Sequence, residues 1–338
     1  MTLIFDGHND ILLRLWMNGD AEGKGFVEGM DTHIDANKAK AGGLAGGFFA
    51  IFTPQQNASG EAILGTDPIT MATAQHATDA MIATFQSLCR AHPQIIRQCH
   101  NKEDIEAAMA AGIMAAVLHI EGAEAIAPDL SNLDHYYQQG LRSIGPVWSR
   151  SNVFGHGVPF DFPGSPDQGT GLTQAGKNLI RACDEMGIMI DLSHLNEAGF
   201  WNIASLTSRP LIATHSNVHA LSPSPRNLTD QQLAAIAESG GLVGLNFASG
   251  FLREDGEKTA DTALEVMIRH LDHLLDHLGE DGVALGSDFD GAVIPKAIGT
   301  AAGLPNLITA MTDAGYGKAL ITKICNQNWL NMIAKQIG

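Results

Sequence analysis

The sequence has no closely spaced pair of cysteines. Cys89, Cys99, Cys183 and Cys325 are scattered without a CxxC, which excludes a zinc ribbon and argues against a disulfide framework. They read as reduced, buried thiols. Positive charge is scarce: 20 Lys and Arg stand against 37 Asp and Glu, a formal net charge of −17. Such a surface repels phosphate backbones and anionic lipid, so neither nucleic acid nor a membrane is an expected partner. Long apolar runs are missing too, since the longest nearly apolar segment, residues 42–52, is short and rich in glycine. Residues Met1–Asp6 carry no basic leader ahead of an apolar stretch, and the expectation is a soluble, cytoplasmic protein. No GxGxxG or GxxxxGK[ST] follows the first apolar run, and internal repeats and low-complexity tracts are lacking.

What is present is a repeated alternation. With 45% hydrophobic residues and 37 glycines among 338, the chain has material for a sizeable core and many tight connections. Eight short apolar runs are predicted as strands: 3–6, 46–52, 114–119, 141–147, 188–192, 211–214, 242–247 and 283–286. Segments of helical period lie among them, at 71–91, 173–186, 197–208, 230–239 and 262–278, and two more follow the last strand near 306–314 and 318–336. Strand then helix, repeated along a chain of eight strands, predicts an α/β fold of the TIM-type (β/α)8 barrel, one domain over residues 1–338. Two connections exceed what a barrel needs. Residues 150–172 are too rich in Gly and Pro for one helix or strand and predict an ordered loop or lid; residues 11–41 are the other. Both follow a strand and so lie over the barrel mouth.

Ligand-type side chains collect at the predicted strand ends. His8 and Asp10 are two apart, a spacing that turns both to one face of an extended chain. A polar strand end followed by a capping Asp would look the same. Glu121, His194, His215 and Asp288 close the third, fifth, sixth and eighth runs. Each alone reads as an ordinary loop start, but in a closed barrel the six meet at one mouth, and that many such groups packed together imply a metal centre. His119 faces the same interior as support for these groups. His270, His273 and His277 share one helical face and read as a packed or exposed surface, although their spacing also suits a cation.

The motifs FDGHND (5–10), HIEG (119–122), DLSH (191–194), ATHS (213–216), SPSPRNLTD (222–230) and GSDFDG (286–291) appear in this order over nearly the whole chain. In them the sequence resembles the membrane (renal) dipeptidases, peptidase family M19 of the amidohydrolase superfamily. The resemblance implies a dipeptidase with two Zn2+, one bound by His8 and Asp10 and one by His194 and His215, bridged by Glu121 and a hydroxide. It implies that Asp288 is the catalytic acid and base, with Asp290 as the less favoured choice, and that Arg226 clamps the substrate carboxylate. It also implies tolerance of a D-residue on the C-terminal side. The sequence departs from the family where a His ends the fourth strand in the mammalian enzymes: here GPVWSRSN places Trp148 at or beside that position. Polarisation of the scissile carbonyl then falls to metal alone or to Arg150, Asn152 or His156, with Trp148 and His156 expected to contact substrate. A small peptide is the expected partner, and a homo-oligomer stays open. Two alternatives remain at this point: another amidohydrolase activity, such as N-acyl amino acid deacylation, and a metal-binding barrel without catalysis.

Overall fold

The computed structural model describes residues 2–56, 62–63 and 65–337. Two curled parallel sheets form its centre. Strands β1 (Ile4–Asn9), β2 (Leu44–Phe52), β3 (Met114–Glu121), β4 (Leu141–Gly145) and β5 (Met189–Ile190) follow one another in the larger sheet, where the short strand Ile96–Gln98 also pairs with β3. Strands β6 (Ile212–Ser216), β7 (Leu242–Asn246) and β8 (Val283–Gly286) form the smaller one. Single parallel bridges stand at the two seams, Asp191 to Ile212 and Asn9 to Phe289. All eight strands fall on the predicted runs, with ends shifted by a few residues. Unforeseen were Ile96–Gln98, the helix Lys102–Ala110 and a small hairpin pairing Gln55–Gln56 with Ala62–Ile63.

Alternation along the strands separates a dry end from a polar one. On β3, Ala115 and Val117 join an apolar cluster, and the next residues of the same parity are His119 and Glu121. Phe5, Phe48, Met189, Ile212, Leu242 and Ala284 enter that cluster from other strands, so both sheets contribute to it. Trp329, from the C-terminal helix Asn328–Gln336, plugs it: its ring lies 5.3 Å from Phe48, and its indole N–H donates to the Leu285 carbonyl at 2.9 Å. The long stretch predicted as one helix over 318–336 is interrupted by a π turn, Lys323–Gln327, just before this tryptophan.

Regular pairing fails where the site begins. Between Ala213 and Ser216, two residues of β6 face one of β7, a bulge centred on Thr214 and His215. The inward-pushed Thr214 carbonyl is met by glycines on three strands. A Cβ on Gly7 would lie 2.3 Å from that oxygen, and one on Gly244 or Gly286 would lie 2.0 Å from it. A second register shift falls in β1 between Asp6 and Asn9, around His8.

The two long connections differ in make-up. Residues 150–172 contain no helix or strand, only a bridge from Gly157 to Leu195. Residues 11–41 hold three short helices, Ile11–Met17, Lys24–Glu28 and Ala36–Gly42, that the sequence reading left undivided. The Thr214 carbonyl offers no room for a methyl group, so Gly244→Ala should destabilise the fold by about 1–3 kcal/mol. Chemical denaturation would check this; an unchanged midpoint would show that the bulge can relax.

Candidate active site

The six strand-end residues do meet. Glu121 Oε1 lies 3.0 Å from His194 Nε2, 3.4 Å from His215 Nε2 and 3.7 Å from His8 Nε2. His8 Nε2 is also 3.4 Å from Asp10 Oδ2, and His8, Asp10 and Asp288 offer ligand atoms within 4.8 Å of one another. His8 and His215 stack at 3.9 Å, and the Nε2 atoms of His194 and His215 are 3.2 Å apart. His8 reaches Asp10 by a different route from simple strand alternation. Asp10 lies beyond β1, at the start of the helix Ile11–Met17, where its side chain makes no capping bond. His194 and Asp288 adopt positive φ, 67° and 58°, a backbone region unusual for residues with a Cβ and typical of functional turns.

Buried polar groups hold the His119, His194 and His215 rings and the turns beside them. Asp191 accepts from the Ser193 and Thr214 backbone N–H groups at 3.0 and 2.8 Å, and from the Thr214 hydroxyl at 2.5 Å. The Thr214 hydroxyl proton is thereby committed to Asp191. His215 Nδ1, 2.8 Å from the same hydroxyl oxygen, must donate to it, which leaves the lone pair on Nε2. Ser149 pairs with His194 Nδ1 at 2.8 Å, and Ser143 with His119 Nδ1 at 2.9 Å. On the other seam Asp6 accepts from the Ser287 N–H and hydroxyl, both at 2.6 Å. Asn246 donates to Asp288 Oδ2 at 2.9 Å. Thr214, Ser149, Asp6 and Asn246 were not named from sequence, because a hydroxyl, amide or carboxylate carries no signal until its neighbours are known.

This donor set fits a bound cation. Among the described residues, both buried ring nitrogens of His8 lack a hydrogen-bond partner, and the lone pair of His215 faces the Glu121 carboxylate. Burial alone would lower the pKa of His8, but the Glu121 and Asp10 carboxylates outweigh it and push His8 up to about 10. Burial, with the positive charges of Arg226 and His8, drives His194 and His215 well below the usual imidazole range. Burial raises Glu121 and Asp288, and the nearby Asp10 charge raises both further. Without a cation, protons must therefore neutralise the cluster.

A cavity of about 670 Å³ opens onto these groups, lined by Asp10, Glu121, His194 and Asp288 and walled by Phe52, Trp148, Phe160 and Phe251. Trp148 packs 4.8 Å from Phe52, 5.3 Å from Phe160 and 5.8 Å from His194. The three neighbours named as carbonyl-polarising candidates do not line the cavity. Arg150 pairs with Glu124 at 3.0 Å and donates to the Thr53 carbonyl at 2.8 Å. Asn152 bonds the Pro146 carbonyl and the Phe154 N–H, and His156 Nδ1 lies 3.3 Å from Ser151 Oγ. The expected contact of His156 with substrate thus has no counterpart in the cavity wall. Asp290 accepts from the His33 and Ile34 N–H groups at 2.6 and 3.2 Å, an anchor for the 11–41 connection. Arg226 does not line the cavity either. It donates to Ser216 Oγ and the His215 carbonyl, its Nε has no partner among the described residues, and its guanidinium lies 5.7 Å from the Phe251 ring.

The family model of the membrane dipeptidases, peptidase family M19, matches residues 1–337. The chain belongs to that family. This dipeptidase is accordingly a metallopeptidase, although among the described residues no helix is long and apolar enough to cross a membrane. It is similar to a metallopeptidase from Rhodobacter sphaeroides, solved with a phosphinate mimic of the dipeptide L-Ala-D-Ala: 48% identity, 99% of each chain covered, TM-score 0.95. It is likewise similar to a structure described as the dipeptidase AC of family M19, at 48% identity and TM-score 0.94, covering 100% of this chain and 99% of that one. An uncharacterised Klebsiella pneumoniae protein from the pqqA 5′ region is 49% identical over 238 residues, 70% of this dipeptidase and 88% of its relative.

Because protons neutralise the metal-free cluster, loading the dipeptidase with divalent cation at neutral pH should release protons, and affinity should fall as pH falls. His8, held near 10, must lose its proton to become a ligand. Calorimetric titration in buffers of different ionisation enthalpy measures the release; heats independent of buffer would contradict it.

Proposed function

We propose that this dipeptidase hydrolyses dipeptides with a free C-terminal carboxylate, D-configured C-terminal residues included, using two Zn2+ ions. The convergence of His8, Asp10, Glu121, His194 and His215 beside Asp288, at the floor of a cavity lined by Asp10, Glu121, His194 and Asp288, carries the reading. The R. sphaeroides relative, solved with an L-Ala-D-Ala mimic, supports the stereochemistry. A closed (β/α)8 barrel forming one domain is part of the proposal, supported by the two seam bridges and by a cluster drawn from both sheets.

His8 and Asp10 would hold one ion, His194 and His215 the other, with Glu121 between them. When bound, the ions polarise the scissile carbonyl and make water nucleophilic at neutral pH. Asp288 takes the proton from the attacking water and delivers it to the departing amine, a task suited to a carboxyl raised by burial and aimed by Asn246. Arg226, buried and with an unpartnered Nε, binds the terminal carboxylate. Phe52, Trp148, Phe160 and Phe251 enclose the side chains and exclude water. Residues 150–172 supply Phe160, stacked 6.1 Å from Phe251, and act as a lid.

A stereochemically diverse dipeptide panel, run beside N-acyl amino acids and with metal analysis, tests the substrate class; turnover of acyl amino acids alone would point to a deacylase. Asp288→Asn should lower kcat by about a hundredfold or more, since an amide cannot accept the proton, with metal content retained. Undiminished kcat would rule out the relay. Arg226→Ala should raise KM for free-carboxylate dipeptides and leave amidated ones little changed. An equal loss on both would remove the clamp.

A further inference from the structure

Outside the cavity, a second set of ligand-type groups converges where the helix Leu264–Leu278 packs against the start of Asp230–Glu238. One nitrogen each from His273 and His277 and a carboxylate oxygen of Asp230 lie within 4.8 Å of one another. The two histidines are one helical turn apart, and their rings stack at 4.3 Å with 14° between planes.

Hydrogen bonding sets the tautomer of His277. Its Nδ1 lies 2.9 Å from the His273 carbonyl oxygen, which can only accept, so in the neutral ring Nδ1 carries the proton and Nε2 the lone pair. That lone-pair atom faces Asp230 Oδ1 at 3.8 Å, and His273 Nε2 donates to the same oxygen at 2.8 Å, a proton that a bound cation would displace. Asp230 is free of capping duty, because Thr229 and Gln232 form the capping box of its helix. Two imidazoles and a carboxylate thus point toward one place, with the rings only 23% and 31% exposed.

We propose that Asp230, His273 and His277 form an accessory site for a first-row divalent cation of the zinc or nickel class, its remaining positions filled by water. Imidazole nitrogen favours these ions over Ca2+ and Mg2+, which select oxygen. Bound there, the ion fastens the helix Leu264–Leu278 to the segment that directly follows Arg226 and Asn227. None of the three ligands lines the cavity, so the site is separate from the catalytic centre.

The test uses the metal-loaded enzyme, dialysed against low-micromolar free Zn2+, with zinc counted per chain for wild type, His277→Gln and Asp230→Asn. Wild type should hold about one equivalent more than either variant, all three retaining dipeptidase activity. Added Ni2+ should raise Tm in wild type only, and Ca2+ in none of them. Equal zinc content in all three proteins, or a Ni2+ effect on Tm that survives both substitutions, overturns the proposal.

Discussion

The buried Glu121 carboxylate is the constraint around which this protein is arranged. One of its oxygens lies within 3.0–3.7 Å of three imidazoles, and Asp10 and Asp288 crowd the same volume. Such a group of carboxylates and lone pairs is stable only when positive charge is added, by protons or by metal. A family of metallopeptidases is where this arrangement belongs.

Holding those groups in register falls to two buried aspartates at the seams. Asp191 fixes Ser193 and Thr214, the residues immediately before His194 and His215. Asp6 fixes Ser287, the residue immediately before Asp288. Each clamps the junction where the strand ladder thins to a single bridge, and each thereby sets the direction of a side chain in the Glu121 cluster. Burial pushes Asp6 up to about 7 in spite of its bonds from Ser287.

The aromatic wall of the cavity draws on loops as well as strands. Phe160 arrives on residues 150–172 and packs on Trp148, and Phe251, on the short helix Ser249–Leu252, stacks on Phe160. Arg150, adjacent in sequence to the cavity wall, instead pairs with Glu124 and braces Phe52 and Trp148 from outside, its guanidinium 5.8 and 5.7 Å from their rings. Proximity along the chain did not predict which face it would serve.

The sequence by itself determined the α/β alternation, because strand and helix periods are local properties of apolar spacing. It also named His8, Asp10, Glu121, His194, His215 and Asp288, since strand ends in a parallel α/β fold share one rim. The shape of that rim was decided by tertiary structure. The bulge at Thr214 and His215 exists because Gly7, Gly244 and Gly286, on three other strands, leave space for one carbonyl oxygen. The same holds for His156, excluded from the cavity, and for Asp230, brought 43 residues along the chain to His273. Such meetings depend on how distant backbones pack, and no local pattern encodes that.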